Sequence, residues 1–224
     1  MEDNLSQALS NSISEETQSV AAELMEAGLD SVMDDGLLKE VPILSVAVSL
    51  YKIGHSVKER HYVRKLAAFI DALNKGIIDE EKQEYYKQAV KNDPKRRDKE
   101  LEYILILIDR YIHSDKANML ACFYLSYLDG RLSWLEFTKC AEMIDRLLPG
   151  DMAELRAGEY KEISVDNVPD SLLRMEGLGL FVSHSQGVTV NEIGGAGLNI
   201  PDAKIKRYEL TAFGRKFLDC LKFE

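Results

Sequence analysis

From Lys58 to Asn74 the chain sorts its side chains by the period of an α-helix: Tyr62, Val63, Leu66, Phe69, Ile70 and Leu73 fall on one side, and Lys58, Arg60, His61, Arg64 and Lys65 on the other. Residues three and four apart share a helical face, so a stripe this regular must lie on an apolar neighbour while its reverse stays wet. The period recurs. It runs through Val20, Ala21, Leu24, Met25, Leu29 and Met33, then Tyr85, Tyr86 and Val90, then Leu101, Ile104, Leu105, Ile108 and Ile112, and then Met119, Leu120, Phe123, Tyr124 and Leu128. Gly36, Gly76, Asp129-Gly130 and Pro149-Gly150 punctuate these segments, and Val41-Pro42 and Asp93-Pro94 place prolines where a first helical turn tolerates them. Asp79, and Ser114 or Asp115, are positioned as N-caps, and Ser133-Trp134-Leu135-Glu136 reads as a capping box ahead of Phe137, Met143, Ile144 and Leu147. Connections this short make successive helices pack antiparallel, so a multi-helix bundle is expected over residues 36–150.

After about residue 160 the pattern changes. A short helix around Pro169 to Glu176 ends at Gly177, and Leu178 to Ser183 alternates as a strand does. A glycine-rich stretch from Gly187 to Gly197 follows, then a second strand from Ile205 to Leu210 and a last helix from Thr211 to Leu221. The segments Leu172-Leu173-Arg174-Met175-Glu176-Gly177-Leu178-Gly179-Leu180 and Tyr208-Glu209-Leu210-Thr211-Ala212-Phe213-Gly214-Arg215-Lys216-Phe217 resemble the signature of winged-helix domains: a helix, Gly-Leu, a wing, then Leu-Thr-x-x-Gly. The expected fold is mainly α: a multi-helix bundle followed by a small α+β winged-helix-like module over residues 160–224.

Charge is segregated along the chain. No Lys or Arg precedes Lys39, whereas nine acids do, and without them the formal net charge of −10 would be about −1. Residues 1–35 therefore read as an acidic arm, its first fourteen or so residues polar and frayed. Pro42 to Ile53 follows, apolar nearly all round, with Ser45, Ser49 and Lys52 as a thin polar stripe; such a helix must be buried or lie against something greasy. The apolar run is well short of the roughly 20 residues a spanning helix needs. The N-terminus lacks the basic and apolar regions of a secretory signal, and Cys122, Cys140 and Cys220 are scattered without CxxC spacing, as reduced core thiols are. These features imply a cytoplasmic protein, with the inner membrane as a peripheral surface.

The cations Lys52, Lys58, Arg60, His61, Arg64 and Lys65 directly follow the apolar segment. One greasy and one polybasic segment form the two-signal pattern for adsorption to an anionic leaflet. The same cations also suit the acidic arm, an acidic partner, or a merely solvated face. In the C-terminal module, Lys204, Lys206, Arg207, Arg215 and Lys216, with Arg174, make a candidate nucleic-acid-binding set. The module's own charge balance is negative, and Leu172, Leu173, Met175 and Glu176 leave its helix little polar surface, which favours protein contact.

Signatures of chemistry are weak. Asp129 to Phe137 looks like the second half of an EF-hand loop, but Leu125 and Tyr127 stand where ligands would be needed, so a helix-to-helix turn is expected. His55, His61, His113 and His184 fall in separate elements without zinc spacing. Gly194-Gly195-Ala196-Gly197 lacks the strand–turn–helix setting of a phosphate cradle. Asp109 is the best acid–base candidate, with a charge such as Arg110 its expected partner. No catalytic residue, metal or cofactor is expected.

The stretch from Leu29-Asp30-Ser31 through Gly36-Leu37-Leu38-Lys39-Glu40-Val41-Pro42-Ile43-Leu44, with Leu50-Tyr51-Lys52-Ile53-Gly54, resembles uncharacterised bacterial and prophage proteins, some of them set among anti-phage genes. The resemblance implies host defence or superinfection control and carries no residue-level activity. The combined expectation is a non-enzymatic interaction or regulatory protein with a protein partner, able to oligomerise with itself or associate with a membrane once the arm leaves the apolar and basic helices. The alternative is a winged-helix DNA-binding transcriptional regulator.

Overall fold

Local capping chemistry sets several helix boundaries in the computed structural model, which describes residues 3–13, 17, 40–51, 56–76, 80–157, 161–186 and 205–221. The described residues are mainly helical with one three-stranded antiparallel sheet, and the chain divides into two compact units: Met1–Asp145 with Phe223–Glu224, and Arg146–Lys222. In the larger unit the helices are α1 (Asp3–Ser12), α2 (Pro42–Tyr51), α3 (Val57–Lys75), α4 (Glu80–Lys91), α5 (Pro94–Arg110), α6 (Ser114–Leu128) and α7 (Trp134–Arg146). Ser56 and Glu59 form a capping box at the start of α3, Asp93 accepts from the Arg96 N–H at 3.2 Å with Pro94 beside it at the start of α5, and Ser133 and Glu136 box the start of α7. α6 departs from expectation. His113 occupies its cap position and no side chain caps it, so neither Ser114 nor Asp115 plays that part.

The centre of this unit is α3 against α6. Leu66, Phe69, Ile70 and Leu73 are buried with Leu120, Phe123, Tyr124 and Leu128, and the Phe69 and Tyr124 rings lie 6.3 Å apart. Each such side chain contributes about 1.5–3 kcal/mol on leaving water. Gly76 closes α3 where a Cβ would run into the Leu125 side chain.

The expectation of a frayed start is overturned over residues 3–13. Leu9 and Ile13 are fully buried, Ala8 nearly so, and α1 packs on α2, α4 and α5. The serines that made the segment look like loop are its fastenings. Asp98 of α5 accepts from the Ser6 N–H at 3.0 Å and from the Ser6 hydroxyl at 2.6 Å, placing a carboxylate at the positive end of α1. The Ser12 hydroxyl donates to the Ala8 carbonyl and accepts from the Ile43 N–H at 3.0 Å, while Asn74 of α3 donates to the Ser12 carbonyl. α2 rests on α1 and α3 with Val41, Ile43, Leu44 and Ala47 buried. The acids from Glu15 to Asp35, on which an electrostatic latch would depend, lie outside the described residues. Among the described residues no helix is long and apolar enough to cross a membrane.

The smaller unit contains α8 (Asp151–Ala157), β1 (Lys161–Ser164), a 3-10 turn (Val165–Asn167), α9 (Asp170–Gly177), β2 (Phe181–Gln186), β3 (Ile205–Leu210) and α10 (Ala212–Cys220). The strand order is β1–β3–β2, with Tyr208 opposite both Lys161 and Ser183. Tyr208 and Phe181 are buried, as are Leu155, Leu172, Met175, Leu180, Phe217 and Cys220. The expected strand from Leu178 starts three residues late, because Gly179 at φ +75° turns the chain out of α9. Gly214 explains the Leu-Thr-x-x-Gly sequence. Thr211 caps α10 through the Gly214 N–H at 2.8 Å and donates to the Gly179 carbonyl, while the absent Gly214 side chain lets α10 approach the Leu180 carbonyl. The glycine-rich stretch from Gly187 to Gly197 lies outside the described residues.

Candidate functional site

Two cations of the basic face of α3 are spent on its neighbour α5. The Lys65 side chain is buried and its ammonium donates to the Asp109 carbonyl at 2.8 Å and the Tyr111 carbonyl at 2.5 Å, satisfying the C-terminal end of α5. Burial holds the Lys65 pKa below its usual value, with Lys58 adding to the effect and the Asp109 carboxylate opposing it. Lys65 is therefore no part of an exposed binding face. Lys58 pairs with Asp109 across 3.6 Å, so the partner of Asp109 is Lys58, while Arg110 turns to Asp145 at 2.6 Å and Glu142 at 3.0 Å. Arg60 and Arg64 are half-buried, and Arg60 is already engaged. His61 is exposed, and Lys52 lies outside the described residues.

The C-terminal cations do not share one surface. Successive strand residues point to opposite faces, so Lys206 and Arg207 are separated by the sheet. Arg207 stands in register with Glu162 and His184 and forms an ion pair with Glu209 at 3.5 Å. Arg174 binds Asp151 through two hydrogen bonds of 2.7 and 2.9 Å, and Arg215 donates to the Leu210 carbonyl. Lys216 is half-buried and engaged, and Lys204 lies outside the described residues. Glu176, near the end of α9, accepts from the Ser183 N–H and ties α9 to β2.

The Asp129 turn is the helix connection its sequence implies. Gly130 takes φ +74°, Asp129 accepts from the Tyr86 hydroxyl at 2.7 Å, and Glu136 folds back onto Ser133. Among the described residues no cluster of His, Cys, Asp and Glu is arranged to hold a metal. The three cysteines are free thiols.

An open groove lies between α5 and the first turns of α7. It encloses about 690 Å³ and is lined by Asp93, Lys95, Arg96, Lys99, Glu100 and Tyr103 from α5 and its cap, and by Trp134 and Thr138 from α7. Spacings of three, four and seven bring Arg96, Lys99, Glu100 and Tyr103 to one side of α5. Trp134 is half-buried, its ring 5.8 Å from Tyr103, 5.3 Å from Tyr127 and 5.0 Å from Phe137, so the indole is clamped by aromatic neighbours.

Beneath the groove lies a closed polar cluster. Glu100, 4% exposed, accepts from Arg96 at 2.8 Å, from Arg97, and from the Tyr127 hydroxyl at 2.7 Å, while Arg96 also donates to that hydroxyl. The Arg97 guanidinium stands 5.2 Å over the Tyr127 ring. Burial, then the bond to Glu100, raises the Tyr127 pKa and keeps the phenol a donor. Asp93 is committed to capping α5. Lys95 and Lys99 are exposed and form no ion pair among the described residues. Ile106, on the same edge of α5 as these lysines, is 51% exposed.

No family model, curated protein or solved structure matches the chain. Neither Lys95 and Lys99 nor Tyr103 and Trp134 stood out in the sequence. The available signal was the run Lys95-Arg96-Arg97 with Lys99 at a helix start, unbalanced by an acid in the first turn.

Proposed function

We propose that this chain is a non-enzymatic interaction protein acting through protein–protein contact, and that its larger unit docks a partner in the α5–α7 groove. The groove carries the reading: an aromatic wall and two unpaired lysines stand together over a buried, hydrogen-bonded polar cluster, with an exposed isoleucine on the same edge of α5. Interfaces concentrate binding in such half-buried aromatic anchors with a polar rim. The sealed acids support the same reading, since Glu100 and Asp151 are held by arginines and positioned as structure.

Unbiased peptide display on the intact protein tests this. Peptides selected on the wild-type chain are expected to lose at least tenfold in binding, roughly the effect of truncating one interface anchor, when Ile106→Glu or Tyr103→Ala is introduced. Pools that bind both forms alike, or no enrichment, would reject the groove as a docking site.

A second reading belongs to the smaller unit. A helix before β2, the antiparallel β2–β3 pair flanking residues 187–204, and α10 after it support a winged-helix plan, and with it a DNA-binding regulator. The charge arrangement favours protein contact, because Lys206 and Arg207 lie on opposite sheet faces and Arg174 is bound to Asp151. Salt-dependent gel shift of duplex DNA, lost on K206E/R207E, would restore the DNA reading.

A further inference from the structure

We infer that the α5–α7 groove receives an acidic amphipathic segment of a partner protein, its apolar residues seated against Tyr103, Trp134 and Ile106 and its carboxylates paired with Lys95 and Lys99. The inference rests on the docking reading above and names the chemistry of the occupant.

Charge complementarity selects it. Within a chain of net charge −10, the first turns of α5 bring four cations together, Lys95, Arg96, Arg97 and Lys99. Glu100 takes both arginines. The two ammonium groups left over are exposed at the rim, and no described residue is paired with either. A carboxylate arriving there replaces solvent with a counter-ion on each lysine and is steered by the same field. The apolar half of the occupant is set by the opposite wall. Tyr103 and Trp134 offer ring surface inside the groove, and Ile106 extends that surface along the edge of α5. About 690 Å³ accommodates a few anchoring side chains and not a whole helix, as in recognition of residues spaced three and four apart on an amphipathic helix.

A nucleic-acid strand fits the same surface less well. Its affinity comes from many phosphate contacts, whereas this groove offers two unpaired lysines, shares its lining with Asp93 and Glu100, and presents Glu102 three residues beyond Lys99.

Trp134 is the only tryptophan in the chain, so its fluorescence reports groove occupancy directly. The probes are three tryptophan-free peptide libraries of about 16 residues with the same apolar positions at helical spacing, flanked by Glu, by Gln or by Lys. The Glu-flanked set is expected to bind and shift Trp134 emission, to weaken as salt rises, and to lose roughly tenfold or more in affinity on K95E/K99E, a reversal of two rim charges. The two lysines are exposed, so the variant is expected to melt like the wild type, and Ile106→Glu provides an independent block of the apolar wall. Equal binding of Gln- and Glu-flanked peptides, unaffected by K95E/K99E, would overturn the acidic partner while leaving a docking groove. Absence of a Trp134 response to all three sets would overturn both. A single-stranded oligonucleotide that shifts Trp134 and is lost on K95E/K99E, where acidic peptides do nothing, would reassign the groove to nucleic acid.

Discussion

Two helices of the larger unit begin with cations, and they use them in opposite ways. On α3, Lys58 in the first turn and Lys65 two turns further on reach the end of α5, where one meets the Asp109 carboxylate and the other two backbone carbonyls. At the start of α5, Arg96 and Arg97 are both bound by a single buried acid of their own helix, while Lys95 and Lys99 stay unpaired beside Tyr103 and Trp134. A basic helical face is thus a docking surface only after neighbouring helices have taken their share of it. On the α3 face, the more regular of the two in sequence, Lys58 and Lys65 serve the fold.

The contrast is open to attack at three points. The largest effect is expected from Glu100→Ala, which strands a half-buried Arg97 and the Tyr127 hydroxyl; stability should fall by about 3 kcal/mol in urea unfolding, as when one partner of a buried ion pair is removed. A loss near zero would mean the groove does not stand on a pre-paired base. Lys65→Met should cost less, about 1–2 kcal/mol, since it leaves two carbonyls unpaired but ends the burial of a charge. Its pH dependence has a definite sign. With the folded pKa below the usual 10.5, the unfolded chain holds the proton longer, so the wild type gains on the variant as pH climbs from neutral towards 10.5, read as the difference between melts at the two ends. Lys58→Ala should be the mildest, below about 0.5 kcal/mol in the same assay, because its pair with Asp109 lies at the surface with the two side chains 80% and 42% exposed. A larger cost there than for Lys65→Met would invert the assignment of structural and peripheral cations on α3.

The helices of the larger unit were legible where period and caps agreed. α3, α5 and α7 show an apolar stripe together with Ser56–Glu59, Asp93-Pro94 and Ser133–Glu136. α1 was illegible because Ser6, Ser10 and Ser12 occupy buried positions among Ala8, Leu9 and Ile13, and their satisfaction depends in part on Asp98 and Ile43, far along the chain. β1 was missed for a similar reason. Its four residues lack an alternating pattern of their own and become a strand by pairing with β3, more than forty positions later. The candidate site was hidden because aromatic residues on a helix ordinarily read as core, and only the crossing of α5 and α7 leaves Tyr103 and Trp134 at an opening. Charge periodicity says which side of a helix is wet, and it is silent on which counter-ions other helices will bring.

The bond from Asp98 back to Ser6 spans 92 positions. During vectorial synthesis α1 leaves the ribosome long before this acceptor exists, so Leu9 and Ile13 have at most the cover of α2 while the polypeptide lengthens. The full cover of α1 is timed by the emergence of α5, and a translational pause ahead of residue 98 would prolong the interval in which a chaperone can seize that helix.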